Sequence, residues 1–135
     1  MAKGSENLFL QSGVLPLTGD GVMLITSRNS GKWIIPKGHI EKGMTAAASA
    51  AKEAWEEAGV SGMVGADPIG SYRYRRSDCL YSVEVYPLDV LEVLDDWQER
   101  HIRQRRIVSP AEAISILFHD ELRALVAGYF ARRLE

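Results

Sequence analysis

Glu53, Glu56 and Glu57 crowd three carboxylates into the short stretch Lys52-Glu-Ala-Trp-Glu-Glu57. At about 100° per helical residue, with Glu53 as zero, Glu57 falls at about 40° and Glu56 at about −60°, so all three share one arc. Like charges at this spacing repel by roughly 0.2–0.5 kcal/mol per neighbouring pair. A solvated acidic face is the common outcome of such a pattern, and for this stretch alone it is the better reading. The alternative is chemistry: hard divalent cations take oxygen ligands and remove the repulsion. The surrounding residues decide between the two.

The helix that must carry the carboxylates is legible. Thr45 can cap its N-terminus, alanine dominates its body, and Gly59 stands where a left-handed C-terminal residue belongs. Ala47, Ala51, Ala54 and Ala58 lie at about 100–160° on the same wheel, a small-residue face that lets the helix approach a sheet closely. The pattern predicts a helix anchored by alanines with its acidic cluster turned outward.

Upstream, Gly38 opens a glycine-bracketed loop, Lys37-Gly-His-Ile-Glu-Lys-Gly43, and Gly31-Lys-Trp-Ile-Ile-Pro-Lys-Gly38 leads into it. Loop and helix together resemble the Nudix box, G-x5-E-x7-R-E-U-x-E-E-x-G-U with U a bulky aliphatic. Gly38, Glu53, Glu56, Glu57, Gly59 and Val60 fall in register. Two positions depart: the box glutamate falls at Met44 and the box arginine at Lys52, while Ala54 replaces an aliphatic. In the family those two positions are tied to loop–helix geometry and local ion pairing. Methionine cannot pair with Lys52, and lysine lacks the bidentate fork of arginine. The resemblance implies the Nudix fold, an α+β (α/β/α) sandwich with a mixed sheet between helices. It also implies hydrolysis of a nucleoside diphosphate linked to another moiety, or of a related diphosphate.

The downstream chain resembles one branch of that family. Tyr86-Pro-Leu-Asp-Val-Leu-Glu-Val-Leu-Asp-Asp-Trp-Gln-Glu-Arg100, then Arg103-Gln-Arg-Arg106 and Ser109-Pro-Ala-Glu-Ala113, are similar to the diphosphoinositol polyphosphate and diadenosine polyphosphate phosphohydrolases. Arg106-Ile107 departs where that branch often has an acid and tryptophan. The resemblance implies water attack on phosphorus, with Glu53 and Glu57 as principal Mg2+ ligands (Mn2+ as the alternative ion). Glu56 becomes a further ligand or the general base, and the carbonyl of Lys37 a further metal contact. Bound cations would neutralise and orient the diphosphate and ease deprotonation of water. The general base stays open between Glu56, Glu57 and the loop acid Glu41.

A polyphosphate needs positive charge opposite the carboxylates. Arg28, Lys37, Arg73 and Arg75 are the candidate substrate contacts, because guanidinium forks match phosphate oxygens. Arg103, Arg105 and Arg106 form a second basic group, and for any one of these arginines alone a surface role is the plainer reading. His39, in the box loop, reads as a solvated residue before a phosphate contact, His101 and His119 show no metal-ligand spacing with each other, Cys79 reads as a packed thiol, and Trp33 as packing beneath the loop. Trp97, within a charged connection, is the more interesting aromatic for ligand or dimer contact.

Composition narrows the rest. The 135 residues fit one domain, and 16 basic against 18 acidic residues give a net charge of −2. That balance argues against a nucleic-acid polymer as partner. One cysteine excludes an internal disulfide and a cysteine zinc cluster, and points to a reducing, cytoplasmic setting. No apolar run is long enough to span a membrane. Met1–Gly13 resembles an expression tag with a variant protease site, which leaves 14–135 as one domain, monomeric or homodimeric. Strands are predicted over Gly21–Thr26, Trp33–Ile35, Met63–Tyr72 and Cys79–Leu88. A capping box with proline starts a helix at Ser109, and a last amphipathic helix spans His119–Arg132. Two further functions remain: a pyrophosphatase for ADP-ribose or nucleoside triphosphates, and a non-catalytic nucleotide-binding module of the same fold.

Overall fold

The computed structural model describes residues 7–19 and 21–133. Eight strands form one mixed sheet: β1 (Asn7–Thr18), β2 (Gly21–Thr26), β3 (Trp33–Ile34), β4 (Lys37–His39), β5 (Val60–Val64), β6 (Gly70–Arg76), β7 (Cys79–Val93) and β8 (Arg105–Val108). Helix α1 (Ala46–Ala58) lies between β4 and β5, while α2 (Pro110–Ile116) and α3 (Asp120–Arg133) close the chain.

The main strand path runs β3-β2-β1-β7-β5, with β4 added to β1, β6 to β7 and β8 to β2. β1 and β7 pair in parallel from Asn7–Cys79 to Leu17–Asp89, and the other pairings are antiparallel. One face of the sheet packs Val14, Met23, Ile25, Val60 and Leu88 against Ala50, Ala54 and Ala58 of α1. The opposite face packs Leu15, Val22, Leu24, Tyr72 and Val83 against Ala113, Leu117, Leu122, Val126 and Tyr129 of α2 and α3. Alternate residues of each strand therefore serve opposite cores, as pleating requires. This is the expected sandwich of helices about a mixed sheet.

Several expected elements change. Residues 7–13, set aside as a tag, are the first half of β1, while residues 1–6 lie outside the described residues. Met63–Tyr72 is two strands, since β5 ends at Val64 and β6 begins at Gly70, where φ is +149°. Asp67-Pro68 between them supplies the break. The loop at Lys37 contains a short strand bound to β1, and the end of the charged connection is β8, bound to β2.

Candidate active site

Helix α1 begins where expected: Thr45 is extended and its Oγ1 accepts from the Ala48 N–H at 3.0 Å. It ends at Gly59, with φ +67° and ψ +39°. A Cβ at Gly59 would also come within 2.8 Å of Trp97 and of Arg105 Nη1, so this position needs glycine for both conformation and space. Arg105 donates to the Ala58 and Leu94 carbonyls at 2.8 and 2.6 Å and lies over the Trp97 ring, 3.8 Å from its centroid. A guanidinium thus satisfies and offsets the negative C-terminal end of α1.

The acidic face does not point to open solvent. Glu57 is only 7% exposed, and Glu53 and Glu56 are half-buried. α1 leans on the sheet through Ala50, Ala54 and Ala58, about 60–140° on the wheel used above, and that tilt carries Glu57 inward. One oxygen of Glu57 accepts from the Lys37 N–H at 3.1 Å, and the other lies 3.4 Å from Arg103 Nη2. Arg103 is almost fully buried, binding Glu99 at 2.7 Å and the Thr26 carbonyl at 2.9 Å. Gly38 lies directly beneath Glu53, and a Cβ there would overlap its carboxyl group.

Burial, followed by the negative charges of Glu57 and Glu56, pushes the Glu53 carboxyl up to about 8. Burial also raises Glu57, with Arg103 and the Lys37 N–H opposing it. Such a set of crowded, incompletely neutralised oxygens matches the donor chemistry of a hard divalent cation. Among the described residues, no three His, Cys, Asp or Glu side chains already surround one cation position. Glu53 and Glu57 are the carboxylates of this face that could hold such an ion, and Glu57 is at present in contact with Arg103. Lys37 meets Glu57 through its N–H, while its side chain turns away toward the Tyr74 ring, 5.0 Å from the centroid.

Lys37 and Arg103 also line a cavity of about 490 Å³ with Arg28, Lys32, Arg75 and Arg76. Its remaining wall includes Ser27, Asn29, Ser30, Ile34, Tyr74, Phe118 and His119, and no carboxylate lines it. Burial, with the Lys37 ammonium next, holds His119 below the usual histidine range, so the ring is neutral at pH 7. Tyr74 stacks between Tyr81 and His119, with centroids 4.9 and 4.8 Å away, which fixes an aromatic wall beside the cations.

The structure therefore brings Glu53, Glu56, Glu57, Lys37, Arg28 and Arg75 to one end of the sheet. Arg73 does not join them: it donates from its N–H and guanidinium to Glu121 on α3, at 2.9 and 3.4 Å. Arg73 and Arg75 are on one face of β6, but only Arg75 reaches the cavity. Of the second basic group, Arg105 caps α1, Arg106 pairs with Glu112 at 2.8 Å, and Arg103 alone enters the site. Arg103 and Glu99 carried one signal, an acid four residues before a base, hidden in a stretch crowded with charges of both signs. Phe118 and His119 carried none, because they arrive from the distant α2–α3 turn. Trp97 does not line the cavity; its indole N–H donates to the Glu57 carbonyl at 3.0 Å.

The NUDIX domain profile matches residues 9–129. Nudix hydrolase 12, mitochondrial, of Arabidopsis thaliana is 35% identical over 107 residues, which are 73% of this chain and 53% of that protein. Diphosphoinositol polyphosphate phosphohydrolase 2 of Rattus norvegicus is 36% identical over 101 residues, 73% of this chain and 55% of that protein. The chain thus spans little more than half the length of these relatives. A solved C. elegans Ap4A hydrolase binary complex superposes with a TM-score of 0.72 at 20% identity, covering 93% of this chain and 98% of that one. At that identity the likeness is one of fold.

Proposed function

The chain belongs to the NUDIX domain family, and from that premise we propose that it is a metal-dependent hydrolase of phosphoanhydride bonds in polyphosphorylated small molecules. The substrate class is a diadenosine polyphosphate or a diphosphoinositol polyphosphate, and the ion is Mg2+, with Mn2+ as substitute. Glu53 and Glu57 are the metal ligands in this reading, joined by the Lys37 carbonyl. Glu56 is a further ligand or the base that activates water. Arg28, Lys37 and Arg75 bind phosphates, and Arg103 and Arg76 join them on the evidence of the cavity lining.

One observation carries the proposal. A cavity walled by six cationic side chains and no acid abuts a helix that presents three acids. Lys37 and Arg103 belong to both regions, so a phosphate chain held by the cations reaches the carboxylates at the seam. Cations around the phosphates and metal at the scissile bond are the two requirements of phosphoryl transfer to water. Six cations suit a substrate with many phosphates better than a sugar-linked diphosphate. The aromatic wall of Tyr74, Phe118 and His119 favours a nucleotide over an inositol, because a base can stack there and an inositol ring cannot.

The test is turnover of a panel of diadenosine polyphosphates, diphosphoinositol polyphosphates, ADP-ribose and nucleoside triphosphates with Mg2+, beside Glu57→Gln. Metal-dependent turnover that falls by about three orders of magnitude in the variant, about 4 kcal/mol at the transition state, is the expected result. Binding of a nucleotide with no turnover of any member would support the non-catalytic module instead. In either case the partner is a small polyanion. No helix among the described residues is long and apolar enough to cross a membrane.

A further inference from the structure

Glu41 lies in the loop between β4 and α1, three residues before Met44, the position at which the family's box has its acid. It is anchored at three points. Its N–H donates to Oγ of the buried Ser49 at 3.0 Å, its carbonyl accepts from the Met44 N–H at 3.0 Å, and its carboxylate lies 2.7 Å from Lys52 Nζ. Lys52 is shared by two acids, because Glu56 Oε2 is 3.6 Å from the same nitrogen.

We propose that Glu41 is a positioning residue for the metal-facing helix, holding Lys52 off the metal carboxylates and supplying from the loop the acid that position 44 lacks. The proposal rests on the metal-dependent reading above. The physical reason is competition. Lys52 precedes Glu53 and sits one turn before Glu56, so an ammonium released from Glu41 moves onto Glu56 and neutralises it. A neutralised Glu56 attracts a divalent ion less and accepts a proton from water less readily. With Glu41 in place the ammonium is shared, and the shorter contact is to the loop. The same pair fixes the loop that carries Gly38 against α1, which sets the floor under Glu53.

Both partners of the pair are about two-fifths exposed, so the bond adds little to global stability. That separates its positioning role from a merely structural one. Mg2+ binding to the full chain can be followed by intrinsic fluorescence, since Trp97 is bonded to the Glu57 carbonyl. The comparison is between wild type, Glu41→Gln and the double variant Glu41→Gln/Met44→Glu, with melting temperature, kcat and KM measured on each. Glu41→Gln is expected to weaken Mg2+ binding about tenfold, the low end for partners behind a metal ligand. Its kcat falls in parallel at subsaturating Mg2+, while KM for the polyphosphate and the melting temperature hold. Returning the acid at position 44 restores both affinity and kcat. Unchanged Mg2+ affinity and kcat in Glu41→Gln would overturn the proposal. So would a loss that tracks a lower melting temperature and resists Met44→Glu. A wild type that binds Mg2+ but turns over no polyphosphate sinks the hydrolase reading alone, and the Mg2+ affinities then decide the role of Glu41.

Discussion

The indole N–H of Trp97 donates to the backbone carbonyl of Glu57 at 3.0 Å, and the N–H of Glu99 donates to the carbonyl of Glu56 at 3.1 Å. Two consecutive carbonyls at the C-terminal end of α1 are thus bound by one loop, residues 95–104. The same loop sends Arg103 back to the Glu57 carboxylate. Helix end, loop and acid form one unit.

Protonation of Glu53 sets the first. Its folded value of about 8 lies above the ordinary 4.5, so the metal-free folded chain holds a proton that the unfolded chain has released. Metal-free stability therefore falls as pH rises from about 4.5 to about 8 on this group's account. Mg2+ competes with that proton, so its affinity rises with pH and levels off above about 8. Melting curves in EDTA and in Mg2+ between pH 5 and 9, for wild type and Glu53→Gln, check this. A wild-type Mg2+ affinity that is flat over the range would contradict it.

The two box glycines should fail differently. Gly59→Ala puts a side chain at φ +67° and against Trp97, and should cost about 1–2 kcal/mol of stability or more. Gly38→Ala instead displaces Glu53, so turnover and Mg2+ affinity should drop with a smaller change in melting temperature. Thermal melting paired with a Mg2+ titration distinguishes them. Equal losses of stability would count against the assignment of Gly38 to the metal floor.

Among the arginines, Arg75→Ala should raise KM about tenfold, the scale of one charge-assisted hydrogen bond to phosphate. Arg73→Ala should leave KM unchanged, because its side chain is engaged with Glu121 away from the cavity. Steady-state kinetics on both variants decides, and a larger effect at Arg73 would refute the cavity as the phosphate site.

Phe118 separates the two substrate classes. Phe118→Ala should raise KM for a diadenosine polyphosphate by about 1–2 kcal/mol in binding, the value of one lost base stack. Turnover of a diphosphoinositol polyphosphate should be unaffected. Equal effects on both would mean that the aromatic wall packs the fold and reads no base.

How much of this was legible in the residues depended on range. α1, its caps and its three acids are local features, set by propensity, capping and 3.6-residue periodicity, and they were read nearly to the residue. The direction in which the acids face was misread, because α1 rolls on Ala50 and Ala54, and the roll depends on a sheet the local pattern does not contain. Arg73 and Arg75 alternate identically in sequence. Only Glu121, 48 residues away, separates their roles. Met44 read as the loss of an ion pair, yet Glu41 replaces that pair, because a loop can bring an acid from another position within reach. Short strands such as β4 and β8 left no periodic signal, since their register is fixed by β1 and β2.

The peptide bond between Gln11 and Ser12 lies within the stretch that resembles a protease-recognition sequence. Both residues are buried, and their strand is flanked by β4 on one side and β7 on the other. A protease needs an extended segment lifted free into its cleft, and here no free edge exists at that bond. Scission would wait on opening of the sheet, so the time course of cutting would measure how often this end of the molecule comes apart. Because Gly38 and Lys37 pair with Ser12 and Gly13, both on the C-terminal side of that bond, a cut there would release residues 7–11 of β1, with the Gln11 partner of His39, and leave the pairing under the floor of the site in place.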